Sequence, residues 1–166
     1  MQATIIKIHS FLRVFLLTTE EKKVSVVVPA FNEAITLRSV LLRIHNTLRH
    51  LGLSYEVIVI DDGSTDQTAR VAAKCGVKLI VNAKNLGKGC ALRKGFIKAM
   101  GQVIVTIDAD GAHRPEEIPK LIRHILDENL GVDVVIGSRF IGNLEVGAVS
   151  RLHICLLYTS PSPRDL

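Results

Sequence analysis

Residues Val103–Pro115 read V-I-V-T-I-D-A-D-G-A-H-R-P, and this stretch decides how the chain is interpreted. Residues 103–107 form an almost continuous apolar run with β-branched side chains, which predicts a strand covered on both faces. Asp108 and Asp110 follow it directly. Because side chains alternate along extended backbone, residues two apart project on the same side. The stretch therefore predicts a buried strand that ends in two neighbouring carboxylates.

Two unpaired carboxylates at the end of a buried strand repel each other and resist burial. A divalent cation removes that cost, and oxygen ligands suit Mg²⁺ or Mn²⁺. A cation held by one or two carboxylates usually completes its shell with substrate phosphates. The alternative is a solvated Asp-Ala-Asp-Gly turn, which the tetrapeptide alone does not exclude. Asp108 and Asp110 are thus candidate metal ligands.

The composition is that of one globular domain. Of 166 residues, 48% are hydrophobic and 22% are charged, which is sufficient for a packed core. A net charge of +5 suits an anionic ligand or an acidic membrane surface. The basic residues are scattered without interleaved aromatic residues, so no nucleic-acid partner is predicted. The 3 cysteines lack metal-ligand spacing, which predicts buried or free thiols in a reducing, cytoplasmic compartment.

Residues 1–23 precede the regular pattern and are predicted to be an N-terminal extension. Within residues 4–17, apolar side chains recur at helical spacing with basic ones between them, a pattern compatible with an interfacial helix on a membrane. A packing extension or a disordered leader is the alternative. No apolar run reaches the roughly 18 residues of a spanning helix, so none is predicted.

Apolar runs alternate with helical patterns from residue 24 onward. The predicted strands are Val24–Val28, Val57–Ile60, Val77–Val81, Val103–Ile107 and Asp133–Ile136. Pro29 is expected to stop the first of them, because proline cannot continue a central strand. Ser64 and Gln67 have the form of a capping box at a helix start. The alternation predicts an α/β fold, a mostly parallel sheet with helices on both faces.

In such sheets, ligands bind beyond the carboxyl ends of the strands. Every predicted strand end is polar, acidic or glycine-rich: Pro29–Glu33, Asp61–Asp66, Asn85–Gly89, Asp108–Asp110 and Ser138–Arg139. The dinucleotide fingerprint, the P-loop and the hydrolase elbow are all absent from the sequence. With these motifs excluded, the strand ends favour a nucleotide-binding site lined by carboxylates. Carboxylates can accept hydrogen bonds from a base or ribose and hold a cation on a diphosphate, while Lys88 and Arg139 suit phosphates.

Five motifs occur in a fixed order: V-V-P-A-F-N-E, V-I-D-D-G-S-T-D, N-L-G-K-G, T-I-D-A-D-G and G-S-R-F. Over residues 24–142 the chain resembles the family 2 glycosyltransferases of the GT-A fold, a Rossmann-like fold of nucleotide-diphospho-sugar transferases. The polyprenyl-phosphate (dolichyl-phosphate) mannosyl- and glucosyltransferases are the most similar members. The resemblance implies metal-dependent, inverting transfer of mannose or glucose from GDP-mannose or UDP-glucose to a polyprenyl phosphate, by a peripheral protein on the cytosolic face of a membrane.

The resemblance also implies a set of site residues. In chain order they are Pro29, Phe31, Glu33, Ile60, Asp61, Asp62, Lys88, Asp108, Ala109, Asp110 and Arg139. The first three would line the nucleotide pocket, and the acidic pair Asp61 and Asp62 would read the base and ribose. Asp108 would contact ribose or metal, Asp110 would bind the metal, and Arg139 would face the diphosphate or the acceptor phosphate.

One position departs from the family pattern. Ala112 stands where polyprenyl-phosphate mannosyltransferases often carry a glutamine that binds the metal, so specificity for GDP-mannose does not follow. His113, next to it, could touch a phosphate, but a structural or solvated histidine is the favoured interpretation.

The class of acceptor is inferred from the lack of an obvious carboxylate that could act as a general base. A polyprenyl phosphate is already anionic, whereas a sugar hydroxyl needs a carboxylate to activate it. Apart from Glu145, no obvious third acidic motif follows residue 142, which favours the lipid phosphate. A saccharide hydroxyl acceptor in cell-surface polysaccharide synthesis and an inactive donor-binding fragment remain as alternatives. Residues 143–153 are expected to begin an acceptor-side segment, and residues 154–166 to be a disordered or non-native tail.

Overall fold

A computed structural model describes residues 4–7, as backbone only, and residues 24–137. These residues contain a six-stranded sheet in the order β4-β3-β2-β5-β1-β6. The strands are β1 (Thr4–Lys7), β2 (Val24–Ala30), β3 (Tyr55–Asp61), β4 (Lys78–Val81), β5 (Val103–Thr106) and β6 (Val134–Ile136). Strands β2 to β5 are mutually parallel, and β1 runs antiparallel to both β5 and β6. The predicted mostly parallel sheet is confirmed.

Helices cover both faces of this sheet, as predicted. They are α1 (Leu37–His50), α2 (Thr68–Ala73), α3 (Lys88–Lys98) and α4 (Ile118–Leu126), with 3-10 turns at Pro115–Glu117 and Glu128–Leu130. The buried faces of α1, α2 and α4 pack on one side of the sheet, and α3 packs on the other. Within residues 4–7 and 24–137, no helix combines the length and the hydropathy that a bilayer crossing requires.

Strand β2 lies at the centre, and its packing fixes the position of α3. Val24, Val26 and Val28 face the α1 side, while Val27 faces α3, because side chains alternate along a strand. Gly95 of α3 lies so close to Val27 that a Cβ atom there would collide with one of its methyl groups and press tightly against the other. This close approach sets the height of α3 over the sheet, and with it the position of the first residues of that helix.

Two local predictions were wrong. Pro29 lies inside β2, level with Ile60 of β3, because its missing N–H faces the β5 side of the strand at a point where β5 has already ended. The capping box at Ser64 does not form, since α2 begins only at Thr68. The Ser64 hydroxyl instead accepts a hydrogen bond from the backbone N–H of Asn32, at 2.9 Å.

The N-terminal extension also differs from its prediction. Thr4–Lys7 is a strand inserted between β5 and β6, not the beginning of an interfacial helix. Its pairing partners lie in β5 and β6, roughly 100 and 130 residues away along the chain, so helical spacing within the segment could not reveal them. Residues 8–23 and 138–166 lie outside the described residues. The remainder of the predicted helix, Arg139, the acceptor-side segment and the tail therefore stay predictions.

Candidate active site

The carboxyl ends of β2, β3 and β5 meet the start of α3 at a cleft of about 280 Å³. Eight of the predicted site residues line it: Pro29, Phe31, Glu33, Asp62, Lys88, Asp108, Ala109 and Asp110. Four further residues share the lining: Ala30, Asn85, Gly87 and Ala91. The cleft is thus built from segments that are far apart in sequence, and it lies where a parallel sheet places its ligands.

Two of the predicted residues do not line this cleft. The side chain of Ile60 is fully buried and packs with Val27 and Ala91 beneath α3. Asp61 is also buried, and its Oδ1 accepts a hydrogen bond from the backbone N–H of Ser64 at 3.0 Å. Alternation along β3 turns the Asp61 side chain away from the neighbouring Asp62, whereas Ile60 lies deeper, under α3. In the structure they support the site from within the fold.

Asp108 combines burial with an incomplete set of partners. Its side chain is only 13% exposed, and Oδ1 lies 2.5 Å from the Lys88 ammonium. The other oxygen, Oδ2, is buried and has no hydrogen-bond partner among the described residues. An unsatisfied buried carboxylate oxygen is costly. This oxygen is therefore the strongest local indication that Asp108 has a cationic or hydrogen-bonding ligand.

Asp110 is exposed at the mouth of the cleft, two residues after Asp108. Its Oδ1 accepts a hydrogen bond from the backbone N–H of Ala112 at 2.9 Å, which holds the turn that follows β5. The described residues contain no group of three or more His, Cys, Asp or Glu side chains suited to hold a metal ion. A pair of carboxylates of this kind fits Mg²⁺ or Mn²⁺ that shares its shell with substrate phosphates, and does not fit an all-protein cage.

His113 is a structural histidine, as the favoured interpretation predicted. It is buried, and its Nδ1 accepts a hydrogen bond from the backbone N–H of Asp108 at 3.1 Å. His113 therefore holds the backbone at Asp108, and its Nδ1 also lies 4.0 Å from the Asp108 Oδ2.

Asp62 organises the loop on the opposite wall of the cleft. Its carboxylate accepts hydrogen bonds from Asn82 Nδ2 at 2.6 Å, from the Gly87 N–H at 2.7 Å and from the Leu86 N–H at 3.1 Å. Lys94 in turn donates to Asn82 Oδ1 at 2.6 Å. Burial alone would raise the pKa of Asp62, but these hydrogen bonds and the nearby Lys94 charge outweigh it and lower the pKa. Asp62 is an internal anchor for the loop that leads into Lys88.

Side-chain hydrogen bonds join the loop after β2 to the loop after β3. Asn32, at φ +55°, accepts a hydrogen bond from the Thr65 N–H at 2.9 Å, and the Glu33 N–H donates to the Thr68 hydroxyl at 2.8 Å. Asp66 accepts from the hydroxyl and the N–H of Thr68, and the hydroxyl contact is the largest cause of its lowered pKa. These contacts fix the backbone beside Phe31, whose side chain remains 43% exposed at the cleft.

Sequence reasoning missed these ties between loops. The polar residues of the two motifs were visible, but which oxygen accepts from which N–H depends on how the loops lie side by side. It also missed the ion pair between Lys88 and Asp108. Asn85 Oδ1 accepts a hydrogen bond from the Gly87 N–H at 2.9 Å, so Asn85 forms a turn just before α3.

Comparison with known proteins identifies the class. Residues 25–163 match the family described as Glycosyl transferase family 2, so the chain belongs to that family. Its architecture is the GT-A fold, as the solved structures that resemble it show.

Individual relatives are more specific. The dolichol-phosphate mannosyltransferase of Pyrococcus furiosus is 43% identical over 123 residues, which are 72% of this chain and 34% of that protein. The undecaprenyl-phosphate 4-deoxy-4-formamido-L-arabinose transferase of Klebsiella pneumoniae is 40% identical over 121 residues, which are 69% of this chain and 36% of that protein. The chain therefore spans about a third of the length of these curated relatives.

Two solved structures share the fold at comparable similarity. The glucosyl-3-phosphoglycerate synthase of Mycobacterium tuberculosis, in complex with Mn²⁺, UDP and glucosyl-3-phosphoglycerate, has a TM-score of 0.55 and 32% identity, and the match covers 64% of this chain and 40% of that one. The mannosyl-3-phosphoglycerate synthase of Rubrobacter xylanophilus has a TM-score of 0.57 and 28% identity, with 63% and 36% covered.

Proposed function

We propose that this chain carries the donor site of a metal-dependent, inverting hexosyltransferase that uses a nucleotide-diphosphate sugar and a polyprenyl phosphate. The observation that carries the proposal is the cleft itself. It brings together the buried, unsatisfied Asp108 oxygen, the exposed Asp110 and the Lys88 ammonium, and the exposed aromatic ring of Phe31 lines the same cleft. Carboxylates, a cation and an aromatic face are what a metal-bound nucleoside diphosphate requires.

The residues divide between binding and catalysis. Phe31 offers its ring to the base, and Pro29 and Glu33 line the same wall of the cleft. Asp108 and Asp110 would hold Mg²⁺ or Mn²⁺, an ion that supports departure of the nucleoside diphosphate by stabilising its developing charge. Lys88 provides a positive charge for the same phosphates. A metal is further supported by the solved relative that contains Mn²⁺ and UDP.

The reaction we propose is a single displacement at the anomeric carbon. An oxygen of the acceptor phosphate forms the new bond as the bond between the sugar and the diphosphate breaks, which inverts the configuration. The acceptor phosphate is already ionised at neutral pH, so no general base is needed. Two curated relatives bear names with dolichol phosphate and undecaprenyl phosphate, which supports a lipid-phosphate acceptor. A hydroxyl acceptor is the second candidate, because the solved relatives are phosphoglycerate-sugar synthases.

A lipid-phosphate acceptor also locates the protein. We propose a peripheral position on the cytosolic face of a membrane, where nucleotide-sugars and the lipid head group meet. The net charge of +5 supports contact with an anionic surface. Co-sedimentation of the chain with vesicles that contain polyprenyl phosphate, compared with neutral vesicles, tests this position.

The donor site is tested by isothermal titration calorimetry with GDP-mannose and UDP-glucose, each with and without Mn²⁺. We expect one donor to bind only with the metal, and Asp110→Ala to weaken that binding at least about tenfold, since a ligand to the cation is lost. Glu117→Ala is the matched control, because Glu117 is an exposed carboxylate near the same loop that contacts Lys120 and does not line the cleft. A folded wild-type chain that binds neither donor in Mn²⁺ contradicts the proposal.

A further inference from the structure

The position of Lys88 suggests a role beyond holding phosphate. Its Nζ lies 2.5 Å from Oδ1 of Asp108, the carboxylate assigned above to the divalent cation. We infer that Lys88 competes with the divalent cation for Asp108. A bound nucleoside diphosphate ends this competition by pairing with the Lys88 ammonium itself, so metal and nucleotide bind cooperatively. This inference rests on the proposed function, and it concerns the order in which the site is filled.

The ion pair is asymmetric in its freedom to move. The Asp108 side chain is only 13% exposed, and the backbone N–H of Asp108 donates a hydrogen bond to His113, so this residue is enclosed by the fold. The Lys88 side chain is 44% exposed and extends from the first residue of α3 on a flexible four-carbon stem. Lys88 can therefore leave the pair by a change of rotamer more readily than the enclosed Asp108 side chain can.

The ion pair with Lys88 engages only one of the two Asp108 oxygens. The ammonium contacts Oδ1, while Oδ2 remains buried without a hydrogen bond from any described residue. A divalent cation that reaches Asp108 alone must approach an ammonium bound to the same carboxylate. Like charges at such short separation repel strongly in a partly buried site. The metal therefore binds weakly as long as Lys88 keeps its place.

A nucleoside diphosphate changes this balance, because it offers the displaced ammonium a new anionic partner inside the same cleft. Lys88 lines that cleft together with Asp108 and Asp110, so the exchange needs no movement of the backbone. Linkage then makes the effect reciprocal: the factor by which nucleotide tightens metal binding equals the factor by which metal tightens nucleotide binding. Cooperative filling would keep the acidic site from retaining metal without a donor.

The alternative is that the pair only ties the start of α3 to the end of β5. Lys88→Met separates the two roles, because methionine keeps the stem and removes the charge. Lys88→Arg keeps the charge and should keep the competition. Lys84→Met is the matched control, since Lys84 is an exposed lysine of the preceding loop that does not line the cleft. A circular-dichroism melt of each variant shows that the folded chain is compared, and Lys88→Gln replaces the methionine variant if that one does not fold.

The readout is the binding of Mn²⁺ alone to the full chain, measured by the electron paramagnetic resonance signal of the free ion. Without nucleotide, we expect Lys88→Met to bind Mn²⁺ about three- to tenfold more tightly than the wild type, because an ion pair of this exposure is no longer in competition. UDP and GDP are then added separately. In the wild type, one of them should tighten Mn²⁺ binding by a factor that is reduced in Lys88→Met and preserved in Lys84→Met.

The result that overturns the inference is an Mn²⁺ affinity of Lys88→Met equal to or weaker than that of the wild type and of Lys84→Met. Failure of the proposed function has a different signature: the wild type binds Mn²⁺ together with neither UDP nor GDP. The comparison of variants in Mn²⁺ alone does not depend on that outcome. The two ideas therefore fail separately.

Discussion

Removal of the Asp62 carboxylate should destabilise the fold through the loop that it anchors. In Asp62→Ala, the Nδ2 of Asn82 loses an acceptor at 2.6 Å, and Asn82 is only 3% exposed, so water cannot replace it. The N–H groups of Leu86 and Gly87 lose their acceptor too, but both residues are exposed and regain water. The buried Asn82 amide, left without an acceptor, should cost about 1–3 kcal/mol, and each of the two rehydrated N–H groups about 0.5–1.5 kcal/mol. Together they predict a fall of about 2–6 kcal/mol in the free energy of unfolding.

Urea unfolding at pH 7, followed by circular dichroism, measures this loss as a fall in the midpoint of at least about 1 M. Asp110→Ala is the internal control. Asp110 is an exposed carboxylate at the same cleft that accepts a backbone hydrogen bond from Ala112, and its loss should shift the free energy of unfolding by about 1 kcal/mol or less. If Asp62→Ala unfolds within about 1 kcal/mol of the wild type, Asp62 does not anchor the loop.

The pH dependence gives the same prediction a second test. The pKa of Asp62 is lowered in the folded chain, so the carboxylate contributes stability that is fully present above its unfolded pKa, near 3.8, and is lost as the pH falls through the lowered value. Asp62→Asn lacks this titration. The gap in stability between wild type and Asp62→Asn should therefore be constant from about pH 5 to 8 and narrow below about pH 4. A gap that widens on acidification would refute the assignment.

Three further substitutions test how the cleft is held. Gly63→Ala should cost about 2 kcal/mol or more in a urea titration and abolish donor binding, because φ is +74° and a Cβ would collide with the backbone of the adjoining loop; an unchanged midpoint contradicts this. Gly95→Ala should cost about 1–3 kcal/mol through overpacking against Val27, and Val27→Ala in the same chain should recover part of it. Arg43→Ala removes a bidentate, largely exposed ion pair with Glu116. A thermal melt should therefore show a loss of stability of about 1 kcal/mol at most, and a smaller loss in high salt.

Much of the architecture could be predicted from local pattern. The apolar runs of β2 and β5 are continuous, and the apolar residues of α1 recur at helical spacing. Each pattern shows which side chains of a segment are buried, and it can be read from that segment alone. The same reasoning places Asp108 and Asp110 at the end of a buried strand, since alternation needs no knowledge of neighbours. The position of the cleft then follows, because parallel strands bring their carboxyl ends to one edge.

Which groups are partners inside that cleft depends on how the chain packs, and local pattern does not reveal it. The chain alone shows Asp62 and Lys88 as polar residues at strand ends, both suited to a ligand. In the fold, Asp62 turns to Asn82 and to the loop before α3, and Lys88 reaches Asp108, 20 residues further along the chain. Strand β1 is a similar case, since its place between β5 and β6 depends on backbone groups distant in sequence. Sequence pattern determines which segments are buried and how they are extended or coiled, whereas hydrogen-bond and charge partners depend on the distances that packing sets.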